Sequence, residues 1–305
     1  MVRIGRSDLD IFPVQFGGNV LGWTADEATS RDVLDAFVAG GGNSIDTADI
    51  YASGNSELIL GRWMADRGNR KQLVIATKVG MGKEFPGASR NSILASVDKS
   101  LSKLQTDYID LFYIHRDDPD TPLEETVAAL TEVVEAGKVR YVAASNYEPA
   151  RLKEALRIAD ETGGAKFVAV QPPYNLVRRD VYEGELAAVV QQNDLGVLTY
   201  SSLASGFLTG KYRKGGEPVD SQRAERASQY LDERGQAILA SLDQVAARHN
   251  ADAASVALAW VIAQPGITAP IASASRVEQV AGLLAAASLH LTDEDVAILN
   301  AASEY

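Results

Sequence analysis

The stretch GGGNSIDTADIY, residues 40–51, decides how this chain folds, and GNSELILG, residues 54–61, follows it closely. Its glycines predict the end of a helix, because glycine readily adopts the left-handed conformation in which helices terminate. Residues 44–46 then predict a short strand, and a loop leads from it into the next helix. Two ionisable side chains, Asp46 and Tyr51, therefore stand at the exit of one strand.

The rest of the chain repeats the pattern of a short apolar segment, a polar loop and a longer segment of helical period. The segments that fit strands are residues 14–16, 44–46, 73–78, 108–115, 141–146, 167–172, 196–201 and 267–271. Continuous apolar runs of this kind are typical of parallel strands buried on both faces. Eight strand units in 305 residues fit one barrel of roughly 250 residues or more. We therefore predict an α/β protein in which residues 1–305 form a single (β/α)8 TIM barrel domain.

Local signals add detail to this barrel. A turn within residues 3–14 predicts an N-terminal β-hairpin that plugs its bottom. Asn55 or Ser56 is expected to cap the second helix. Further helices, including those of the C-terminal region, are predicted to begin near residues 122, 149, 181 and 252. Residues 210–234 are too polar for one helix and predict an inserted loop after the seventh barrel strand. No Gly-x-Gly-x-x-Gly follows the first strand, so a doubly wound sheet is the less favoured alternative.

Composition excludes several classes of function. A net charge of -12 argues against a nucleic-acid or anionic-membrane partner, since such proteins usually carry a basic face. The absence of cysteine removes zinc-thiolate sites and thiol nucleophiles, and three histidines without a His-Glu-x-x-His motif make a metal site improbable, so none is predicted. The first ten residues lack an apolar signal core, and no run approaches the roughly 20 apolar residues of a membrane span. We therefore expect a cytoplasmic location.

The predicted strand ends provide a test, because all barrel strands present their last residues at one rim. These positions are occupied by Asp46 with Tyr51, Thr77-Lys78, Ile114-His115, Ser145-Asn146, Gln171 and Tyr200-Ser201. Singly, each has an ordinary interpretation: Lys78 could point into solvent, and Tyr200 could pack in the core. Their joint occurrence at successive strand ends instead predicts one polar pocket.

The opening stretch resembles the signature of aldo-keto reductases, in which an Asp at a strand end is followed five residues later by the Tyr that protonates a carbonyl oxygen. The resemblance covers essentially the whole chain, and Asp46, Tyr51, Lys78 and His115 match the family's catalytic tetrad. It implies that Ser145, Asn146 and Gln171 hold the nicotinamide carboxamide and that Tyr200 stacks on its ring. Gly18 and Asn19 fall where the family contacts the nicotinamide ribose, and Asp46 is included among the cofactor contacts.

The same resemblance implies how the cofactor's phosphates are bound. Residues 200–212 (YSSLASGFLTGKY) look like the segment that binds the pyrophosphate. Contacts to it are expected from Ser201, Ser202, Leu203, Ser205, Gly206 and Lys211, and Arg223 is expected to bind the cofactor in the same region. Residues 271–279 (IASASRVEQ) are similar to the adenosine 2'-phosphate segment, implying Ser273, Ser275, Arg276 and Gln279. A phosphate dianion needs fixed donors and a positive charge, which favours NADPH. Two positions depart from the family's pattern: Ser273 stands where many relatives have Gly, and Gly282-Leu283 replaces a common Glu-Asn pair at the adenine. The strength of the preference for NADPH therefore stays open, and NADH is the alternative.

Acid–base chemistry suggests the role of each tetrad residue. Hydride addition leaves negative charge on oxygen, and a proton donor must lie within hydrogen-bond reach. Free tyrosine, with a pKa near 10, is a weak acid, so we expect the Lys78 ammonium to lower the pKa of Tyr51 and Asp46 to keep Lys78 charged. His115 would polarise the carbonyl.

Other functions remain open. Within the family, the chain looks more like the bacterial branch similar to potassium-channel β-subunits and inositol-operon reductases than like aldose reductase. A cofactor-binding sensor with little turnover is the main alternative function. A carboxylate-based barrel hydrolase using Asp46, Asp49 and Asp117 is a further one. The expected partner is a small carbonyl compound, with tentative contacts from Trp23, Phe85, Arg116 and Tyr174 and from the C-terminal tail. The sequence makes no prediction of oligomeric state.

Overall fold

A computed structural model describes residues 1–213, 215–216, 219 and 222–305, and its centre is a closed barrel of parallel strands. The hairpin strands are β1 (Val2–Arg3) and β2 (Asp10–Ile11). The barrel strands are β3 (Gln15–Gly17), β4 (Ser44–Asp46), β5 (Val74–Val79), β6 (Ile109–Ile114), β7 (Val139–Ser145), β8 (Phe167–Gln171), β9 (Gly196–Thr199) and β10 (Ala269–Ala272). β10 pairs in parallel with both β9 and β3, which closes the barrel. The predicted (β/α)8 TIM barrel is confirmed.

Helices surround the barrel. They are α1 (Glu27–Ala39), α2 (Asn55–Arg67), α3 (Arg90–Leu104), α4 (Leu123–Glu135), α5 (Pro149–Thr162), α6 (Glu185–Gln192), α7 (Ala224–Ser228), α8 (Glu233–His249), α9 (Ala253–Ala263), α10 (Val280–Ala286) and α11 (Asp293–Ala302). None of the described helices is long and apolar enough to cross a membrane. The predicted cap of α2 is wrong: Gly54, at φ +88°, takes the cap position. The Ser56 hydroxyl instead donates to the Gly18 carbonyl at 2.8 Å. The helix expected near residue 181 begins at Glu185, because the preceding residues form hydrogen-bonded turns.

Strand alternation divides the core into two parts. Val74 and Ala76 of β5 belong to the inner cluster, whereas Ile75 and Val79 pack outward against the helices. Because side chains alternate along a strand, Lys78 points into the barrel above Ala76. The lumen is thus apolar at the bottom and polar at the top.

The N-terminal hairpin fills the bottom of the barrel, as predicted. Its residues Ile4, Leu9 and Ile11 are buried in the same inner cluster as Val74 and Ala76. A Cβ on Gly5 would lie 2.3 Å from the Val168 carbonyl oxygen, so the hairpin closes directly onto the strands. Water is excluded from that end, which leaves the opposite, carboxyl rim as the accessible one.

The segment predicted as an inserted loop after the seventh barrel strand contains the short helix α7 and the start of α8. Five of its residues lie outside those that the structure describes: Lys214, Glu217, Pro218, Asp220 and Ser221. Before it, residues Ala204–Thr209 form a 3-10 turn close to the carboxyl end of β9.

Substituting Gly61 tests the packing of α2 on α3. A Cβ at this position would lie 2.1 Å from the Lys103 carbonyl oxygen, so Gly61→Ala must push the two helices apart. We expect a loss of about 1 to 3 kcal/mol in the free energy of unfolding, measured by urea denaturation. Ala65→Ser, at an exposed position of the same helix, is the control and should change it by less than about 0.5 kcal/mol. Equal stability of both variants would contradict this packing.

Candidate active site

An ion pair occupies the top of the barrel lumen. The Lys78 ammonium lies 2.6 Å from Asp46 Oδ2 and donates to the Thr47 carbonyl at 2.7 Å. Gln171 Nε2 donates to the other carboxylate oxygen of Asp46 at 2.9 Å. Lys78 is fully buried, and this burial opposes its charge, but the interactions with Asp46 and Tyr51 together outweigh it and raise the pKa of Lys78. The amine is therefore held as an ammonium.

Tyr51 lies beside this pair at the start of a 3-10 turn. The Lys78 ammonium is 5.0 Å from the centroid of the Tyr51 ring. Ala52 and Ser53, which follow Tyr51, adopt left-handed φ values of 49° and 57°, and Gly54 continues in the same region. Non-glycine residues rarely adopt this conformation, so the bend costs free energy that the surrounding contacts must offset. It turns the chain sharply after Tyr51, between β4 and α2.

The expected lowering of the pKa of Tyr51 is wrong for the resting site. Burial raises the pKa of Tyr51, and the nearby Lys78 charge opposes that rise without overcoming it. The phenol therefore keeps its proton at neutral pH. The ammonium still favours any phenolate that forms, because its attraction acts on the charged state alone.

His115 completes the group of four. Its ring lies edge-on to that of Tyr51, with 6.2 Å between centroids. Burial, together with the charges of Lys78 and Arg116, lowers the pKa of His115 to about 3. The buried Nδ1 has no hydrogen-bond partner among the described residues. A proton on Nδ1 would be buried without an acceptor, so the neutral tautomer protonated on Nε2 is favoured.

The residues at the ends of β7, β8 and β9 form a connected polar layer. The Tyr200 hydroxyl donates to Asn146 Oδ1 at 2.9 Å, and Asn146 Nδ2 donates to the His115 carbonyl at 2.9 Å. Ser145 Oγ donates to the Gln171 carbonyl at 2.9 Å. A cavity of about 350 Å³ adjoins this layer and is lined by Asn146, Gln171 and Tyr200. The structure therefore brings together the predicted carboxamide and ring contacts.

The segment after β9 offers donors for an anion. Left-handed φ values of 48° to 57° occur at Ser201, Ala204 and Ser205. Leu203, at φ -107° and ψ 16°, directly precedes the left-handed Ala204, and such a pair turns successive backbone N–H groups toward a common concavity. In the part of the chain that the structure describes, the N–H groups of Ser202 and Leu203 have no hydrogen-bond partner. The Lys211 side chain passes beside Gly206, which adds a positive charge to this segment.

The end of β10 shows a more mixed arrangement. Ser273 Oγ donates to Asn19 Oδ1 at 2.7 Å, so these two predicted contacts bind each other. The Ser275 N–H donates to Gln279 Oε1 at 2.8 Å, next to the exposed Arg276.

The two positions that depart from the family's Glu-Asn pair face the protein interior. Leu283 is buried, and a Cβ on Gly282 would lie 3.3 Å from Asp252 Oδ2. Ser255 Oγ also donates to the Gly282 carbonyl at 3.0 Å. Neither position therefore presents a polar side chain at the surface of this segment.

The tentative substrate residues divide into different surroundings. Trp23 is 45% exposed, and the Arg223 guanidinium lies 5.3 Å from its ring centroid. Phe85 lines a second cavity of about 380 Å³, behind the loop of Tyr51. Tyr174 is only 1% exposed, stacks on Trp260 at 5.5 Å and donates to Glu183 at 2.7 Å, which places it in the core rather than at the rim.

Sequence reasoning missed several residues of this rim. Tyr113 points into the lumen, and its ring centroid is 5.7 Å from the Lys78 ammonium. Because side chains alternate along a strand, the sequence could have predicted this position from the inward-facing Leu111 two residues earlier. Asn175 is buried and its Nδ2 donates to the Ser201 carbonyl at 2.8 Å, which fixes the turn that carries Arg178. Arg178 lines the 350 Å³ cavity, and no motif in the sequence indicates it.

A phenol, an ammonium, a carboxylate and a neutral imidazole lie together at the carboxyl rim of this barrel. The family match identifies the chain as an NAD(P)-dependent oxidoreductase. The family model for the Aldo/keto reductase family matches residues 13–304, and the chain belongs to that family, as predicted.

Similar curated proteins agree with this membership. A probable voltage-gated potassium channel subunit beta of Oryza sativa is 33% identical over 91% of this chain and 88% of that protein. Aldo-keto reductase YhdN of Bacillus subtilis is 33% identical over 93% of this chain and 86% of its own length. The L-glyceraldehyde 3-phosphate reductase of Escherichia coli O157:H7 is 32% identical, with 90% and 84% covered.

The protonation state of His115 can be measured directly. Because burial and two neighbouring positive charges lower its pKa to about 3, we expect the ring to stay neutral, with the proton on Nε2, from pH 8 to pH 5. The ¹⁵N chemical shifts of His115, assigned with a His115→Gln variant, report both properties. Exposed His290 is the internal control and should give a separate signal. Protonation of His115 near its ordinary pKa of about 6.5 would contradict this electrostatic environment.

Proposed function

We propose that this protein reduces the carbonyl group of an aldehyde or ketone with NADPH, and that Tyr51 is the general acid. The observation that carries the proposal is the buried Lys78–Asp46 pair beside the Tyr51 ring. An ammonium held in the lumen stabilises a phenolate and therefore suits a tyrosine that gives up a proton during turnover. The bound nicotinamide would supply the hydride to the carbonyl carbon.

Each residue has a distinct part in this chemistry. As negative charge develops on the carbonyl oxygen, Tyr51 transfers its phenolic proton to that oxygen, and the alcohol forms. Lys78 stabilises the phenolate that remains, and Asp46 keeps Lys78 charged and in position. His115, neutral and protonated on Nε2, can donate a hydrogen bond to the same oxygen and so stabilise its developing charge. Solvent then returns a proton to Tyr51.

The residues after β9 and β10 support binding of a phosphorylated dinucleotide. The N–H groups of Ser202 and Leu203, to which no described residue is hydrogen-bonded, and the Lys211 ammonium suit a pyrophosphate, because backbone nests and lysine both bind phosphate oxygens. Arg276 is exposed beside Ser275 and could pair with a 2'-phosphate. This charge favours NADPH over NADH.

The two alternative functions are less well supported. The hydrolase needs a pair of free carboxylates, but Asp46 is bound to Lys78 and Gln171, and Asp117 forms two hydrogen bonds with Arg151 at 2.8 and 3.0 Å. Of the three carboxylates named for it, Asp49 alone keeps a buried oxygen without a partner among the described residues, and one such carboxylate does not make a pair. A sensor with little turnover agrees with the names of the potassium channel relatives. The complete set of four residues, including a neutral His115, instead favours a working reductase.

Tyr51→Phe tests the general acid. Removing the hydroxyl removes the proton donor but keeps the ring, so we expect kcat for 4-nitrobenzaldehyde to fall at least about 100-fold while the Kd for NADPH, measured by fluorescence, changes less than threefold. Tyr141→Phe, in β7 below the rim, is the matched control and should retain the wild-type rate. A Tyr51→Phe enzyme with near wild-type kcat would remove Tyr51 from this role. Failure of the wild-type enzyme to reduce any aldehyde would favour the sensor.

Arg276→Gln tests the choice of cofactor. If the guanidinium pairs with a 2'-phosphate, its loss should raise the Kd for NADPH about tenfold, the effect of one charged hydrogen bond. The Kd for NADH, which lacks that phosphate, should be unchanged and serves as the control within one protein. Equal weakening of both cofactors, or of neither, would contradict this assignment.

A further inference from the structure

Two arginines stand at the rim of the site, on loops that follow different strands. Arg116 comes directly after His115, at the exit of β6, and is exposed. Arg178 lies after β8 and lines the cavity beside Asn146, Gln171 and Tyr200. A positive rim is unexpected for a chain whose net charge is -12.

The carboxylates that follow Arg116 do not neutralise it. Asp117 is engaged by Arg151, as described above. Asp118 accepts hydrogen bonds from the Ala88 N–H at 2.8 Å and from Thr121 Oγ1 at 2.6 Å. No carboxylate of a described residue lies within 4.0 Å of the Arg116 guanidinium. Among the described residues, this exposed guanidinium therefore has no fixed counter-ion.

Arg178 is fixed in place and only partly neutralised. The turn that carries it is closed by backbone hydrogen bonds between Asn175 and Arg178 of 3.2 and 3.0 Å, and Asn175 anchors that turn to Ser201. Asp180 accepts from Nε of Arg178 at 3.1 Å. Within the described chain, the terminal nitrogens of this guanidinium make no hydrogen bond, so they can bind a ligand.

The electrostatic effect of these arginines reaches the site itself. Burial raises the pKa of Tyr200, and the charges of Arg178 and Arg116 oppose this rise. Arg116 also contributes to the lowered pKa of His115. One carboxylate, Glu148, lines the same cavity but is exposed. Both guanidinium groups therefore act on Tyr200, and Arg116 acts on His115 as well.

We propose that Arg116 and Arg178 bind an anionic group of the substrate, so that the preferred substrates are aldehydes or ketones that carry a carboxylate or a phosphate a few atoms from the carbonyl. The inference rests on the reductase function proposed above and specifies its substrate class. A guanidinium can pair with two oxygens of such a group at once, and Arg178 lies in the cavity that adjoins Asn146, Gln171 and Tyr200. The cofactor phosphates have separate donors, after β9 and β10.

Matched aldehydes that differ in charge test this proposal. 4-Carboxybenzaldehyde is compared with 4-nitrobenzaldehyde, which has nearly the same shape, and succinic semialdehyde is compared with butanal. We expect the wild-type kcat/KM to favour the anionic member of at least one pair about tenfold or more, mainly through a lower KM, and sodium chloride to reduce this preference. Equal kcat/KM within both pairs would overturn the inference while leaving the reductase function intact. Absence of turnover with all four aldehydes would instead overturn the proposed function.

Variants then locate the preference. Arg116→Gln and Arg178→Gln should each reduce the ratio of anionic to neutral kcat/KM about tenfold, and the double variant more, because each removes one charged hydrogen-bond partner. Using the ratio makes any general loss of activity cancel. Arg6→Gln is the matched control: it removes the same charge from the hairpin at the opposite end of the barrel and should leave the ratio unchanged. A ratio that stays at the wild-type value in the double variant would overturn the assignment. A KM for NADPH that rises equally with both aldehydes would also overturn it, because the arginines would then bind the cofactor and not the substrate.

Discussion

The site depends on one ammonium ion held inside a protein interior. Transferring an isolated charge into such surroundings is very unfavourable, and a lysine there would normally lose its proton. Lys78 keeps it because Asp46 lies 2.6 Å away, the Thr47 carbonyl accepts a second hydrogen bond, and Gln171 holds the other oxygen of Asp46. Removing either member of such a pair usually costs several kcal/mol, since the remaining charge is left alone. The polar top of the barrel is therefore arranged around this pair.

Strand geometry supplies the positions that the pair requires. Alternation along β5 places Lys78 in the lumen. The parallel register between β4 and β5 sets Asp46 of β4 beside Ala76 of β5, two residues before Lys78. Tyr51 cannot be positioned in this way, because it lies beyond the strand. Its place is set by the left-handed turn at Ala52 and Ser53, and the hydrogen bond from Ser56 to the Gly18 carbonyl fastens the segment after that turn to the neighbouring loop.

The sequence was sufficient for the barrel and for the gathering of the strand-end residues, because alternation and parallel direction follow from local pattern. It was insufficient where a property depends on the surroundings of a side chain. The pKa of Tyr51 is an example: its direction reflects how much water the fold removes, which no spacing reveals. The burial of Tyr174 against Trp260 and the position of Arg178 depend likewise on contacts between residues far apart in the chain or on an irregular turn. The cap of α2 was missed because Ser56 has a tertiary partner that competes with capping.

The charges at this site act together rather than singly. Burial first, and then the charges of Lys78 and Arg116, lower the pKa of His115 and keep it in the neutral form that can donate from Nε2. Under the proposed function, the positive rim would thus do two things at once: attract an anionic carbonyl compound and preserve the hydrogen-bond donor that the carbonyl needs. A substrate carboxylate bound to Arg116 would offset part of that positive field and make His115 easier to protonate. Burial, the largest cause of the lowered pKa of His115, does not depend on that anion, so it continues to favour the neutral donor.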